Sequence, residues 1–249
     1  MKKNLIIVFA LILCLPGFIF SDVVSFKVGY YIPRAMSELW EIEFENMSFI
    51  KTDFQNTNFA FGYEYFFSRE FSIVLGIEGY TKNKSGIYND FVGEEIDGEG
   101  FAFDYGEGYP ISHVFSVSIT PIQASLKLTP LGRKGKIIPF VGGGVGAYLW
   151  TVRLLGDMVD HSAGEEFLVD NVATVIGYPI YPVNAREENK IGFGFHVFGG
   201  AMFPIANRIS LDAEVKYNQM KGTLKDSFIG WEPFDLSGLT ISLGMNYWF

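Results

Sequence analysis

Apolar and polar residues alternate with a period of two through most of this chain. That is the signature of half-buried β-strands, because successive strand side chains point to opposite faces. The clearest case is residues 239–249, where Leu239, Ile241, Leu243, Met245, Tyr247 and Phe249 alternate with Thr240, Ser242, Gly244, Asn246 and Trp248. Similar segments cover 24–32, 59–67, 71–77, 113–128, 137–151, 191–203 and 209–217. Two carry a complication. In the fourth, Phe115, Val117 and Ile119 are apolar on one parity, and Ile122, Ala124, Leu126 and Leu128 on the other. The switch at Thr120-Pro121 predicts a bulge, which supplies one extra residue and tolerates proline. The fifth segment is apolar on both parities, so its faces stay unassigned.

Eight strands leave seven connections, and these alternate in length. They are short after strands two, four and six. After strands one, three, five and seven they run over 34–58, 81–112, 153–190 and 220–237. Long loops gathered at one end are what an up-and-down barrel produces, whereas a Greek-key sandwich does not require them. The size of these loops leaves ten strands as an alternative. A membrane-spanning helix needs about 18 continuous apolar residues. The nearest run, 137–150, is interrupted by Pro139 and by Gly142, Gly143, Gly144 and Gly146.

Composition sharpens this picture. Aromatic residues make up 17% of the 249 residues, and charged residues only 19%, against the roughly 25–35% charge of a well-solvated surface. Lys2 and Lys3 precede an apolar stretch that ends at Ser21, so residues 1–21 read as a secretory signal peptide and 22–249 as the mature barrel. Cys14 is the single cysteine and falls inside that signal. The mature chain therefore has no disulfide, thiol nucleophile or cysteine metal site. Losing Lys2 and Lys3 moves the formal charge from −9 to −11, which argues against nucleic acid as a partner.

The alternation does not say which face is inside. The polar face is narrow, rich in Gly, Ser and Ala, and carries charges of both signs: Lys27, Glu64, Glu78, Lys127, Asp212, Glu214 and Lys216, with His196 among them. Such a set can pair internally, as buried charges must. The apolar face carries rings near strand ends (Tyr30, Phe67, Phe71, Phe203, Tyr217, Tyr247, Phe249) that suit membrane interfaces. The expected fold is all-β: an eight-stranded antiparallel up-and-down transmembrane β-barrel, its apolar face on outer-membrane lipid and its charges forming a lumen network. Eight strands enclose a space just wide enough for side chains to fill, so the network is expected to act as a structural plug with little conductance.

The basic-apolar start, the run Ile138-Pro139-Phe140-Val141-Gly142-Gly143-Gly144-Val145-Gly146 and the ending 239–249 resemble the small outer-membrane β-barrel proteins of the OmpA/OmpX/OmpW kind. The resemblance implies cell-outer-membrane localisation. It also implies that Phe249, with Tyr247 and Met245 before it, is read by the barrel-assembly machinery. It implies a monomer with a structural or adhesion-like role, meeting an extracellular ligand or host surface through its long loops. The alternative it implies is OmpW-like passage of small, hydrophobic solutes, which needs an apolar pocket at the outer mouth. Peptidoglycan binding is not among the expected roles, because residues 22–249 read as barrel throughout.

Some barrels of this type modify lipid A with a histidine and a Ser or Asp. Here His113 has Ser112 and Ser116 nearby, His161 lies in Asp160-His161-Ser162, and His196 is on the lumen side. Catalytic groups must converge in space, not in sequence, so no catalytic residue is assigned. The segment 81–112 carries Asp90, Glu94, Glu95, Asp97, Glu99, Asp104 and Glu107 but lacks ordered calcium-loop spacing. It reads as a solvated acidic loop, with no metal or cofactor expected. The segment 153–190 is partly apolar (Phe167, Val169, Val172, Val175, Ile176, Ile180) and is a candidate to fold over the barrel mouth.

Overall fold

The period-two segments become strands that close on themselves. The computed structural model describes residues 22–104, 106–133, 135–169 and 173–249; the proposed signal peptide, residues 1–21, lies outside the described residues. Twelve strands form: β1 (Val23–Pro33), β2 (Asn56–Phe66), β3 (Phe71–Ile96), β4 (Glu99–Phe103), β5 (Tyr109–Leu128), β6 (Ile138–Val159), β7 (Glu165–Val169), β8 (Ala173–Ala206), β9 (Ile209–Gln219), β10 (Lys221–Gly222), β11 (Phe234–Asp235) and β12 (Gly238–Trp248). Eight of them make the ring β1-β2-β3-β5-β6-β8-β9-β12, every neighbouring pair antiparallel. The ring is closed by β12 on β1, with Phe26 opposite Met245 and Ile32 opposite Leu239. Closure removes both sheet edges, and it settles eight strands over ten. Among the described residues helix is confined to α1 (Glu38–Asn46) and a 3₁₀ turn, Lys51–Phe54.

The wall is uneven in height. β1, β2, β9 and β12 have 11 residues each, about the length a tilted strand needs to cross a bilayer. β3, β5, β6 and β8 have 26, 20, 22 and 34 residues and rise well beyond it. The segments read as loops at 81–112 and 153–190 are therefore mostly strand. The hairpin of β3 and β4 turns at Asp97-Gly98, both at positive φ, and β4 pairs sideways with β8 at Phe101 and Ala102. The sequence was misleading there because the alternation continues while its chemistry changes.

Exposure along β5 explains that change. From Ile111 to Lys127 every odd residue is buried and the even ones are more exposed, without a break. The pairings with β3 and β6 run through Thr120-Pro121 in constant register. There is no bulge there. Within the bilayer half Ile122 and Leu126 face outward. In the upper half Phe115, Val117 and Ile119 face an apolar interior. The strand keeps its phase, and its surroundings invert: lipid outside below, a protein core inside above. The same rule assigns the two-sided strand β6. Phe140, Tyr148, Trp150, Val152 and Leu154 point inward, and Val141, Val145 and Leu149 outward.

The upper core is completed by the two connections between low-wall strands. Segment 34–55, containing α1, and segment 220–237 fold inward against the tall wall. They bury Leu39, Trp40, Met47, Phe49, Phe54, Met220, Leu224, Phe228, Phe234 and Leu236. Segment 153–190, expected as the candidate lid, stands upright as β6, β7 and β8 instead.

Candidate functional site

The lower interior holds the charges. Lys27 Nζ is 3.1 Å from Asp212 Oδ2 and 2.5 Å from Glu214 Oε2. Lys216 contacts Glu78 and lies 3.7 Å from Glu214 Oε1. Lys127 Nζ donates to Glu64 Oε2 at 2.9 Å, and Ser72 Oγ donates to the other carboxylate oxygen at 2.5 Å. Seven of the eight residues read from the sequence thus form two ion-paired groups. His196 is held apart from both, its Nε2 at 2.7 Å from Ser125 Oγ. Strand geometry creates that last contact. Ser125 on β5 and His196 on β8 both face Gly144 on the intervening β6, where a Cβ would collide with the carbonyl of Ala124.

A neutral layer lies above the charges. Gln123 Nε2 donates to Asn218 Oδ1 at 2.7 Å and to Tyr148 Oη at 3.0 Å, and Lys216 reaches Gln123 Oε1 at 3.3 Å. The sequence reading missed Gln123, Ser125, Tyr148 and Asn218. Gln123 and Ser125 share the parity of Lys127 and were legible on that ground; Tyr148 sat on the strand whose faces could not be assigned. Open space among the charges amounts to about 40 Å³, and the gap above, beside Tyr31, Tyr80 and Tyr148, to about 10 Å³. A water needs about 10–15 Å³, so each of these two spaces has room for no more than a few waters.

Above this floor sits the plug. Trp40 is its centre, with ring centroids 4.9 Å from Phe54, 5.0 Å from Phe115, 5.1 Å from Phe234 and 5.3 Å from Phe44. Its indole N–H donates to the Asp235 carbonyl at 2.9 Å, so the polar tip is satisfied inside an apolar cluster. Polar bonds tie the plug down: Ser37 Oγ accepts from Asp235 N–H at 3.1 Å, and Tyr31 Oη donates to the Leu236 carbonyl at 2.9 Å. Glu187, fully buried on β8, accepts from the Lys225 N–H at 2.7 Å and pairs with Lys190 at 3.0 Å. Glu43 Oε2 on α1 lies 2.7 Å from His113 Nε2 on β5. The other nitrogen, Nδ1, is 3.3 Å from the Asp157 carbonyl, which accepts its proton. The Glu43–His113 contact ties α1 to β5 inside the upper core.

Between plug and tall wall an apolar cavity of about 310 Å³ remains, lined by Leu39, Ile42, Glu43, Tyr88, His113, Leu154, Met158, His161, Val183, Phe228 and Trp231 among others. Of the three histidines, His196 alone meets a serine, Ser125, and its Nδ1 has no hydrogen-bond partner among the described residues. His113 points inward, whereas Ser112 and Ser116 lie on the opposite strand parity. Ser162 Oγ donates to Asp160 at 2.6 Å, while the His161 ring lies on Phe91 and Tyr178. Among the described residues the acidic side chains of 81–112 do not gather into a metal-binding group.

The outer surface carries the remaining information. Phe26, Phe59, Phe61, Ile73, Leu75, Ile77, Ile122, Leu126, Val141, Val145, Phe193, Phe195, Leu211, Val215, Ile241, Leu243 and Met245 are all exposed around the ring. This is far larger than the few hundred Å² of apolar patch a soluble monomer shows. Tyr247 and Phe249 continue the belt at its lower edge. On β3 the outward residues turn polar beyond Gly79, with Thr81, Asn83 and Ser85.

No protein-family model matches the chain, and no curated protein matches it. Among solved structures, the attachment invasion locus protein Ail of Yersinia pestis, in complex with the heparin analogue sucrose octasulfate, aligns with a TM-score of 0.44 at 11% identity, covering 92% of this chain and 99% of Ail. Neisserial surface protein A aligns at 0.46 and 12%, covering 92% and 97%. The outer-membrane protein OprG of Pseudomonas aeruginosa aligns at 0.46 and 10%, covering 92% and 96%. At these values the likeness is one of general architecture. The chain's own geometry is more specific: a closed ring of eight antiparallel strands, ion-paired within and apolar over a bilayer's height without, is the architecture of the small outer-membrane β-barrels.

Proposed function

We propose that this barrel is a non-conducting outer-membrane protein that acts at the cell surface through its tall wall. The observation that carries the reading is the filled interior, ion-paired below and packed with aromatic side chains above, which leaves the outer end as the part free to act. That end is acidic: segments 34–58, 81–112, 153–190 and 220–237 hold 22 acidic residues against nine basic ones. A neutral or cationic partner fits this sign. A sulfated one such as the ligand in the Ail structure would be repelled. The test is conductance of the purified protein in planar bilayers. A silent membrane is expected, and large, stable open steps would refute the reading.

A second reading is favoured by the 310 Å³ cavity at the mouth: binding of a small, mostly apolar solute beside Glu43 and His113. Trp231 lines that cavity, so titration of nanodisc-embedded protein with a medium-chain alcohol should shift its emission saturably. A linear, unsaturable response would remove this reading.

A further inference from the structure

The two ends of the barrel carry opposite charge, and the lower end has its own pattern. All three short connections there contain an arginine: Arg69 between β2 and β3, Arg133 between β5 and β6, and Arg208 between β8 and β9. Lys136 adds to the second. Against these four cations stand, among the described residues there, Asp22 and Glu70. Asp22 is already engaged, accepting a hydrogen bond from Tyr63 Oη at 2.5 Å.

The belt fixes the depth of these residues. Phe67, Phe71, Phe203, Ile205 and Tyr247 are exposed at its lower edge, so the turns just beyond them lie at headgroup level. Arg69, Arg133 and Arg208 line one open cleft of about 580 Å³ with Pro204, Trp248 and Phe249. The Arg133 guanidinium sits 4.3 Å from the Phe66 ring centroid, and that ring stacks on Trp248 at 5.7 Å. The aromatic pair holds the cation at the rim. Arg69 is well exposed, and Glu70 at 3.8 Å is an exposed partner that competes weakly.

We propose that this lower rim recognises the phosphate headgroups of anionic phospholipids in the inner leaflet, with Arg69, Arg133 and Arg208 as the recognising groups. Guanidinium forks match phosphate oxygens bidentately. The exposed rings of Phe67, Phe71, Phe203 and Tyr247, with Pro204, supply apolar contact for the glycerol backbone and upper acyl chains. The acidic outer end disfavours the same lipids in the other leaflet, so the charge pattern matches the two leaflets differently. A basic residue at an anionic membrane surface contributes roughly fivefold in partitioning. Three of them give a preference on the order of a hundredfold if they act independently.

The test uses the full chain in nanodiscs of phosphatidylcholine with and without phosphatidylglycerol, reading the lipids retained by native mass spectrometry. The expected result is preferential retention of phosphatidylglycerol, lost in R69Q/R133Q/R208Q and kept in K82Q/K84Q, which alters cations at the outer end. If removing Arg133 impairs folding through loss of its contact with Phe66, R69Q/R208Q keeps the test intact, with a partial loss expected. Equal retention of both lipids by the unaltered protein overturns the proposal, as does an undiminished preference in R69Q/R208Q. Competition by inorganic phosphate that abolishes lipid retention would assign the rim to free phosphate and overturn it too.

Discussion

Trp40→Ala is the most informative perturbation of the plug. The indole is 1% exposed, touches four aromatic rings and donates one hydrogen bond. A buried aromatic removes some 150–250 Å² from water, or about 4–6 kcal/mol at ~25 cal/mol per Å². Measured large-to-small truncations of aromatics cost ~3–5 kcal/mol. The loss falls mainly on segments 34–55 and 220–237, because three of the four rings Trp40 meets lie in them and one, Phe115, lies on β5. The barrel ladder should therefore survive while the plug opens locally. A loss of ~4 kcal/mol raises the open population up to roughly a thousandfold. Amide exchange reads this directly. The Met47 N–H, bonded to the Glu43 carbonyl, and the Leu236 N–H, bonded to the Met220 carbonyl, should exchange much faster, while the β1–β12 ladder stays protected. Unchanged protection at Met47 and Leu236 would show that the plug is not held by this cluster. Unfolding of the whole ring would show that plug and barrel are one cooperative unit.

Glu64→Gln should destabilise the barrel by ~3–5 kcal/mol, because it leaves Lys127 charged and buried beside the Phe140 ring; denaturant unfolding followed by gel mobility of unboiled samples would show it, and replacing both partners with apolar residues should cost less than Glu64→Gln alone. Asp53, in the 3₁₀ turn above the membrane, has its carboxyl held below the ordinary 3.8 by the Ile50 N–H and then by Lys84. A depressed acid contributes stability above its unfolded value and loses it as pH falls through the folded one. The Ile50 amide resonance should therefore move with a midpoint below 3.8, and in Asp53→Asn the shift should vanish. Deleting Phe249, expected from the family resemblance to be part of an assembly signal, should reduce membrane insertion in cells more than stability after refolding in detergent; normal insertion would count against that role.

The period-two pattern alone located the eight ring strands and their antiparallel order, but not the height of β3, β5, β6 and β8. These follow from local geometry, since a strand's faces alternate whatever surrounds it. The lumen charges were legible for a related reason: ions of both signs on the polar face of a narrow barrel lie within reach of one another. Which ions meet was not legible. Lys27 takes Asp212 and Glu214 because ring closure sets β1 beside β12, and β12 beside β9. The plug was also hidden. Phe115 carries nothing in its own sequence to say whether lipid or protein covers it, and the apparent switch of phase in β5 was a switch of environment along an unbroken strand. Tertiary structure decided that by raising four strands above the bilayer and folding α1 and segment 220–237 against them. Burial is a property of what the rest of the chain brings to a face, and alternation only says that there are two faces.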